Sequence, residues 1–89
     1  MLRKPKEKEI GVITHYFSKI SVGVIKLKAS LRVGDRIHIK GTHDGFVQIV
    51  NSMQINRQDV PSALGGHEVG IKVAHRVYEN DKVYRVTDA

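Results

Sequence analysis

The residues of this chain that could carry out chemistry are, first, its histidines. There are five of them, scattered along the sequence: His15, His38, His43, His67 and His75. A metal site or a catalytic base needs further ligands, a carboxylate or a nucleophile at characteristic spacing, and none of the five has such neighbours in sequence. We therefore predict no catalytic residue, no metal and no cofactor, so that the chain is not an enzyme.

The cationic residues form a clearer pattern. Arg36, His38 and Lys40 alternate with Ile37 and Ile39, a period of two that puts one side of a β-strand in a core and the other in water. Lys26 and Lys28 end the preceding apolar segment with the same spacing. The connection between the two segments is short, so we expect antiparallel strands of one sheet whose cations share an outer surface.

Such a cationic surface has two interpretations. It is either the ordinary solvated face of a small β-protein or a surface that follows the phosphates of a nucleic acid. Tyr16 and Phe17 would add base stacking in the second case, or would plug the end of a barrel in the first. The candidate nucleic-acid-binding residues are Lys26, Lys28, Arg36, His38, Lys40, Tyr16 and Phe17.

Composition favours a polyanionic partner. The 89 residues include 15 Lys and Arg against 9 Asp and Glu, a formal net charge of +6. Residues 1–9 contain four of the bases and two of the acids, so the remaining chain has eleven against seven, a surplus of +4. A basic surplus spread over a folded domain attracts RNA, because neutralising phosphates releases counterions.

The same composition limits the cellular setting and the domain organisation. There is no cysteine, hence no disulfide, and no apolar run approaches the ~20 residues of a membrane span. The N-terminal sequence lacks the apolar block of a signal peptide, so we expect a cytoplasmic protein without a membrane partner. Residues 1–8 are predicted to be a flexible charged lead-in, and residues 9–89 a single β-barrel domain.

Strand-like segments rich in β-branched residues follow one another at short spacing. They cover residues 10–17, 20–28, 36–40, 46–56, 68–74 and 82–86, and turn signals such as Gly34-Asp35 and Asp44-Gly45 separate them. In the 46–56 segment, Val47, Ile49 and Met53 are expected to face inward, with a bulge near Asn51. About six strands without a helix predict an all-β sandwich or barrel, and closure would remove unpaired edges.

Several of these segments, in this order and spacing, resemble the second domain of translational GTPases such as elongation factor Tu. They are Val22–Leu27 and residues 31–39, 52–54 and 63–71. Residues 11–20 and 34–41 are more similar to free-standing elongation-factor-like proteins and to the C-terminal barrel of collagenase-like peptidases. The resemblance implies a small closed six-stranded Greek-key barrel.

The resemblance also implies a non-enzymatic binding module. We expect a translation-related domain that binds RNA or a ribonucleoprotein through its basic face. The alternative is a protein–protein interaction adaptor that docks on a separately encoded enzyme or translation factor. Nothing in the sequence resembles Gly-x-x-x-x-Gly-Lys-Ser/Thr, so GTP is not an expected ligand.

Overall fold

In a computed structural model that describes residues 6–42 and 45–87, the chain is all-β. The described residues form ten strands and no helix, and so no helix among them could cross a membrane. The strands are β1 Lys6–Phe17, β2 Val22–Leu27, β3 Leu31–Arg32, β4 Arg36–Lys40, β5 Phe46–Ile49, β6 Met53–Ile55, β7 Gln58–Asp59, β8 Ser62–Ala63, β9 Glu68–Lys72 and β10 Lys82–Thr87. The predicted all-β class is confirmed.

Eight of these strands form one antiparallel sheet in the order β5-β4-β10-β1-β2-β9-β6-β7, and β3 pairs with β8. The register of β1 shifts between Glu9 and Gly11 and again between Ile13 and His15. Such bulges bend a strand and increase its twist, so the sheet curls around its inner face. Among the described strands, backbone pairing leaves β5 and β7 as edges. The sheet is therefore an open half-barrel, and the predicted closed six-stranded barrel is not confirmed.

The inner face of the curled sheet holds the core. Ile37 and Ile39 of β4 are almost fully buried, as their alternation predicted, and β2 and β9 follow the same rule. The strand interiors supply nearly all of the packed side chains. The buried apolar residues are Ile10, Ile13, Ile25, Leu27, Leu31, Ile37, Ile39, Val50, Met53, Ala63, Val69, Ile71, Val73, Val77 and Val83.

The predicted long strand over residues 46–56 is wrong in two respects. It is divided into β5 and β6, which lie far apart in the strand order. Within β5 the alternation has the opposite phase, since Val47 and Ile49 are 52% and 42% exposed while Phe46 packs against the core. The buried Val50 fixes this phase: its N–H donates to the Asp35 carbonyl at 2.9 Å.

The N-terminal segment contributes to the sheet. Lys6 and Glu7 pair with Thr87 and Val86 of β10, so residues 6–8 lie in β1 and not in a flexible lead-in. The rest of the predicted lead-in, residues 1–5, lies outside the described residues. So do residues 88 and 89, His43, and Asp44 of the predicted Asp-Gly turn.

Candidate functional site

The predicted cationic surface is divided into two groups. Lys26 lies on β2, with Lys28 just beyond its end, and Arg36, His38 and Lys40 lie on β4. The two strands belong to one sheet and run in opposite directions, as expected. However, β10 and β1 lie between them. The five cations therefore do not form one continuous patch.

Glu7 of β1 lies beside the β4 cations. One of its carboxylate oxygens is 2.8 Å from His38 Nδ1 and the other is 2.7 Å from Lys40 Nζ. The hydrogen bond with His38, and then the one from Lys40, lowers the pKa of Glu7 below its usual value. The bond to Glu7 in turn raises the pKa of Lys40, whose ammonium also lies 4.9 Å from the centre of the Tyr84 ring. Two of the predicted phosphate ligands thus share one carboxylate.

Glu9, on the same face of β1, pairs with Lys28 of the other group. It accepts a hydrogen bond from Lys28 and lies 3.6 Å from Lys82, and the bond from Lys28 lowers the pKa of Glu9. The Lys26 ammonium donates to the Gly66 carbonyl at 2.9 Å. The outer face around β1 therefore consists of acidic side chains paired with basic ones. The sequence carried this signal, because Glu7 and Glu9 are two positions apart, as on one face of a strand.

The two predicted aromatic residues lie at the end of β1, and Tyr16 lines a cleft that we call the aromatic cleft. Tyr16 packs partly against the core, whereas Phe17 is 47% exposed and meets the His15 ring edge-on at 4.4 Å. The Arg76 guanidinium lies 5.6 Å from the centre of the Tyr16 ring and 5.1 Å from that of Tyr78. The cleft has a volume of about 490 Å³ and is lined by His15, Tyr16, Ser18, Arg76, Val77, Tyr78, Glu79 and Asn80.

A tight turn over residues 78–81 shapes one wall of the cleft. The nearly buried Asp81 carboxylate accepts the Tyr78 N–H at 3.0 Å, and the Asp81 N–H donates back to the Tyr78 carbonyl at 3.0 Å. Asn80 adopts a φ of 75°, and its N–H donates to the Ile13 carbonyl at 2.8 Å. Sequence reasoning missed Arg76 and Tyr78 because they lie in no strand. The signal in the sequence was the apolar Val77 between them, which is buried in the structure and so leaves Arg76 and Tyr78 on the other side of the chain.

A second concave feature lies where the curled sheet approaches itself. We call it the seam: β5 forms one side and residues 72–74 form the other. The Gln48 side chain crosses it, with Nε2 donating to the Lys72 carbonyl and Oε1 accepting from the Ala74 N–H, both at 2.8 Å. The Phe46 and His75 rings meet edge-on at 5.0 Å. The seam encloses about 450 Å³, lined by Gln48, Ile49, Asn51, Lys72, Val73 and Ala74.

The predicted absence of a metal centre can be compared with residues 6–42 and 45–87 only. Within them, no group of three or more His, Asp or Glu side chains is placed to hold a metal ion. His15 and Glu79 are 4.0 Å apart in the aromatic cleft, without a third potential ligand.

The comparison with the sequences of known proteins identifies relatives among proteases. The chain is 44% identical over 82 residues to an uncharacterized protease of Methanocaldococcus jannaschii, covering 91% of this chain and 20% of that protein. It is 32% identical over 78 residues to a collagenase of Porphyromonas gingivalis, covering 85% of this chain and 22% of the collagenase. The chain thus spans about a fifth of the length of these relatives. No family model matches it.

The comparison with solved structures also leads to a domain of a peptidase. The C-terminal domain of a Geobacillus thermoleovorans protein described as a U32 peptidase superposes with a TM-score of 0.83 at 15% identity, covering 88% of this chain and 91% of that domain. The chain has the fold of a U32 peptidase C-terminal domain. The selenomethionine form of that domain gives a TM-score of 0.82, also at 15% identity, over 85% of this chain and 96% of the other.

These findings correct the functional prediction. The resemblance to collagenase-like peptidases is confirmed, whereas that to translation factors is not shown. The hypothesis of a translation-related module that binds RNA through a basic face is wrong, because the relatives are proteases. The physical reason it misled is visible in the outer face: Glu7 and Glu9 pair with Lys28, His38 and Lys40, three of the seven candidate residues.

Proposed function

We propose that this chain is a peptidase-associated domain that binds protein and performs no cleavage itself. The observation that carries this proposal is the match to the Methanocaldococcus jannaschii protease. It has 44% identity and covers 91% of this chain but only a fifth of that protease. A segment of that proportion is consistent with an accessory domain beside a larger catalytic part.

The aromatic cleft is the surface we assign to contact with the peptidase part. Tyrosine, arginine and exposed aromatic side chains are the residues that most often dominate the binding free energy of protein interfaces. Here the Arg76 guanidinium lies near two tyrosine rings, and the Asp81 carboxylate holds the backbone of one of these tyrosines, Tyr78. A rigid anchor loses little conformational entropy on binding, which favours recognition at this site.

The test uses the Porphyromonas gingivalis collagenase from which the segment matching this chain has been removed. Calorimetry should detect binding of the chain to that remainder, and the chain alone should not cleave gelatin. Arg76→Ala and Tyr78→Ala should each weaken binding about tenfold, in the range of an interface anchor. Leu64→Ser is the matched control, because Leu64 is 69% exposed and lies outside the cleft.

Two results would contradict this proposal. Gelatin cleavage by the purified chain would show that it is itself catalytic. Equal binding by the control and the two cleft variants would remove the aromatic cleft from the contact.

A further inference from the structure

The side of β5 that faces the seam offers backbone groups to a partner strand. The N–H and C=O of Val50 both bond toward β4, to Asp35 and Gly34. Because these directions alternate along a strand, Phe46 and Gln48 also bond toward β4, and Val47 and Ile49 point into the seam. The Ile49 carbonyl confirms this orientation, since it lies 3.5 Å from Gln48 Nε2.

The other side of the seam also presents backbone groups that β6 does not reach. β6 pairs with β9 only at Gly70 and Ile71, so it ends before the Lys72 carbonyl and the Ala74 N–H. Those two groups instead bond to the two ends of the Gln48 carboxamide. A carboxamide has the same donor and acceptor as a peptide unit. The seam is therefore already occupied by a substitute for one peptide group.

We infer that the seam binds an extended peptide segment, which pairs with the free edge of β5 and displaces the Gln48 carboxamide from Lys72 and Ala74. The added strand would close the half-barrel. This inference rests on the proposed function, since a peptidase-associated domain would hold a stretch of unfolded protein. Addition of a strand to an exposed edge is a common mode of peptide recognition, in which main-chain hydrogen bonds supply affinity.

The side chains around the seam specify the kind of peptide. Val47 and Ile49 expose apolar side chains on the outer face, two positions apart. Lys72 is the charged residue among those lining the seam, and Arg36 is paired with Ile49 on the neighbouring strand. Arg36 and Lys72 lie on the outer face with Ile49, whereas Phe46 packs against the core on the inner face. The matching ligand therefore alternates acidic residues that face outward with apolar residues that face the core, because an extended chain places every second side chain on the same face.

The experiment uses a short acetylated and amidated peptide of alternating valine and glutamate, with the binding measured by isothermal titration calorimetry. Binding should slow hydrogen exchange at the Val47 and Ile49 amides. A peptide N-methylated at the residues that face β5 should bind roughly threefold to tenfold more weakly for each lost hydrogen bond. Exchange at Val47 and Ile49 that is already slow in the free chain would overturn the inference.

Gln48→Ala gives the sharpest comparison. If the carboxamide competes with the peptide, its removal should tighten binding several-fold, whereas Arg36→Glu, which reverses a charge on the outer face, should weaken it. Gln54→Ala is the matched control, because the Gln54 carboxamide bonds to Asp59 at 3.0 Å, outside the seam. Unchanged or weaker binding by Gln48→Ala, in a variant that melts cooperatively, would overturn the displacement.

The remaining outcomes are also decisive. Self-association of the chain that protects Val47 and Ile49 without any peptide would overturn the inference in favour of a second copy as the occupant. Absence of peptide binding, together with intact binding of the chain to the collagenase remainder, would overturn the seam site alone and leave the proposed function standing.

Discussion

Replacing Gly41 by alanine tests how tightly the turn behind the aromatic cleft is built. A Cβ added at Gly41 would lie 2.6 Å from Asp81 Cγ, and closer still to Oδ1. Asp81 would have to move its carboxylate and give up the hydrogen bond from the Tyr78 N–H. Loss of a nearly buried hydrogen bond of this kind costs about 1 to 3 kcal/mol of unfolding free energy.

A double-mutant cycle separates this mechanism from a general effect of the added methyl group. Asp81→Ala alone removes the same acceptor and should cost a similar amount. In that background, Gly41→Ala should cost only a few tenths of a kcal/mol, so the two losses should fail to add. Urea denaturation of the four proteins measures the cycle, and each kcal/mol should also lower Tm by about 4 to 8 °C in a domain of this size. Additive losses would refute the reasoning.

The other predictions concern the outer face and the core. The hydrogen bond with His38, and then the one from Lys40, lowers the pKa of Glu7 from its ordinary value. The stability that Glu7 contributes is therefore present above the ordinary pKa and is lost as the pH falls through the lowered folded-state value. Glu7→Gln should flatten the acid side of a plot of Tm against pH, and an unchanged slope would contradict the ion pairs to His38 and Lys40. Ile37→Ala should cost about 2 to 5 kcal/mol in urea denaturation because Ile37 is fully buried. Val47→Ala, on the outer face, should change the free energy of unfolding by no more than about 0.5 kcal/mol. A larger loss would indicate that Val47 faces the core.

The fold was predictable where polar residues mark one face of a strand. In β4, the cations at positions 36, 38 and 40 leave a single phase for Ile37 and Ile39. In the β5 segment, Phe46, Val47, Ile49 and Val50 are all apolar, so local periodicity cannot choose a phase. The choice is made by packing of Phe46 and by the Val50 hydrogen bonds to Asp35 and Gly34, 15 and 16 residues earlier in the chain, and such tertiary contacts override local preference.

The sites were less predictable than the fold. The cationic residues were correctly placed on outer faces, but Lys28, His38 and Lys40 each pair with a carboxylate 19 to 33 residues away, and only the strand order reveals these partners. The seam depends on where the curled sheet meets itself. Nothing in the sequence distinguishes Gln48, which crosses the seam, from Gln54, which pairs locally with Asp59.

The most direct test of a peptidase-associated role is a graft into an intact relative. The 78-residue match in the Porphyromonas gingivalis collagenase is replaced by this chain, and the rate of collagen cleavage is compared with that of the intact enzyme and of a deletion lacking the segment. We predict that the deletion loses collagen cleavage and that the graft restores it. A folded graft no more active than the deletion, or a deletion as active as the intact enzyme, would contradict the account.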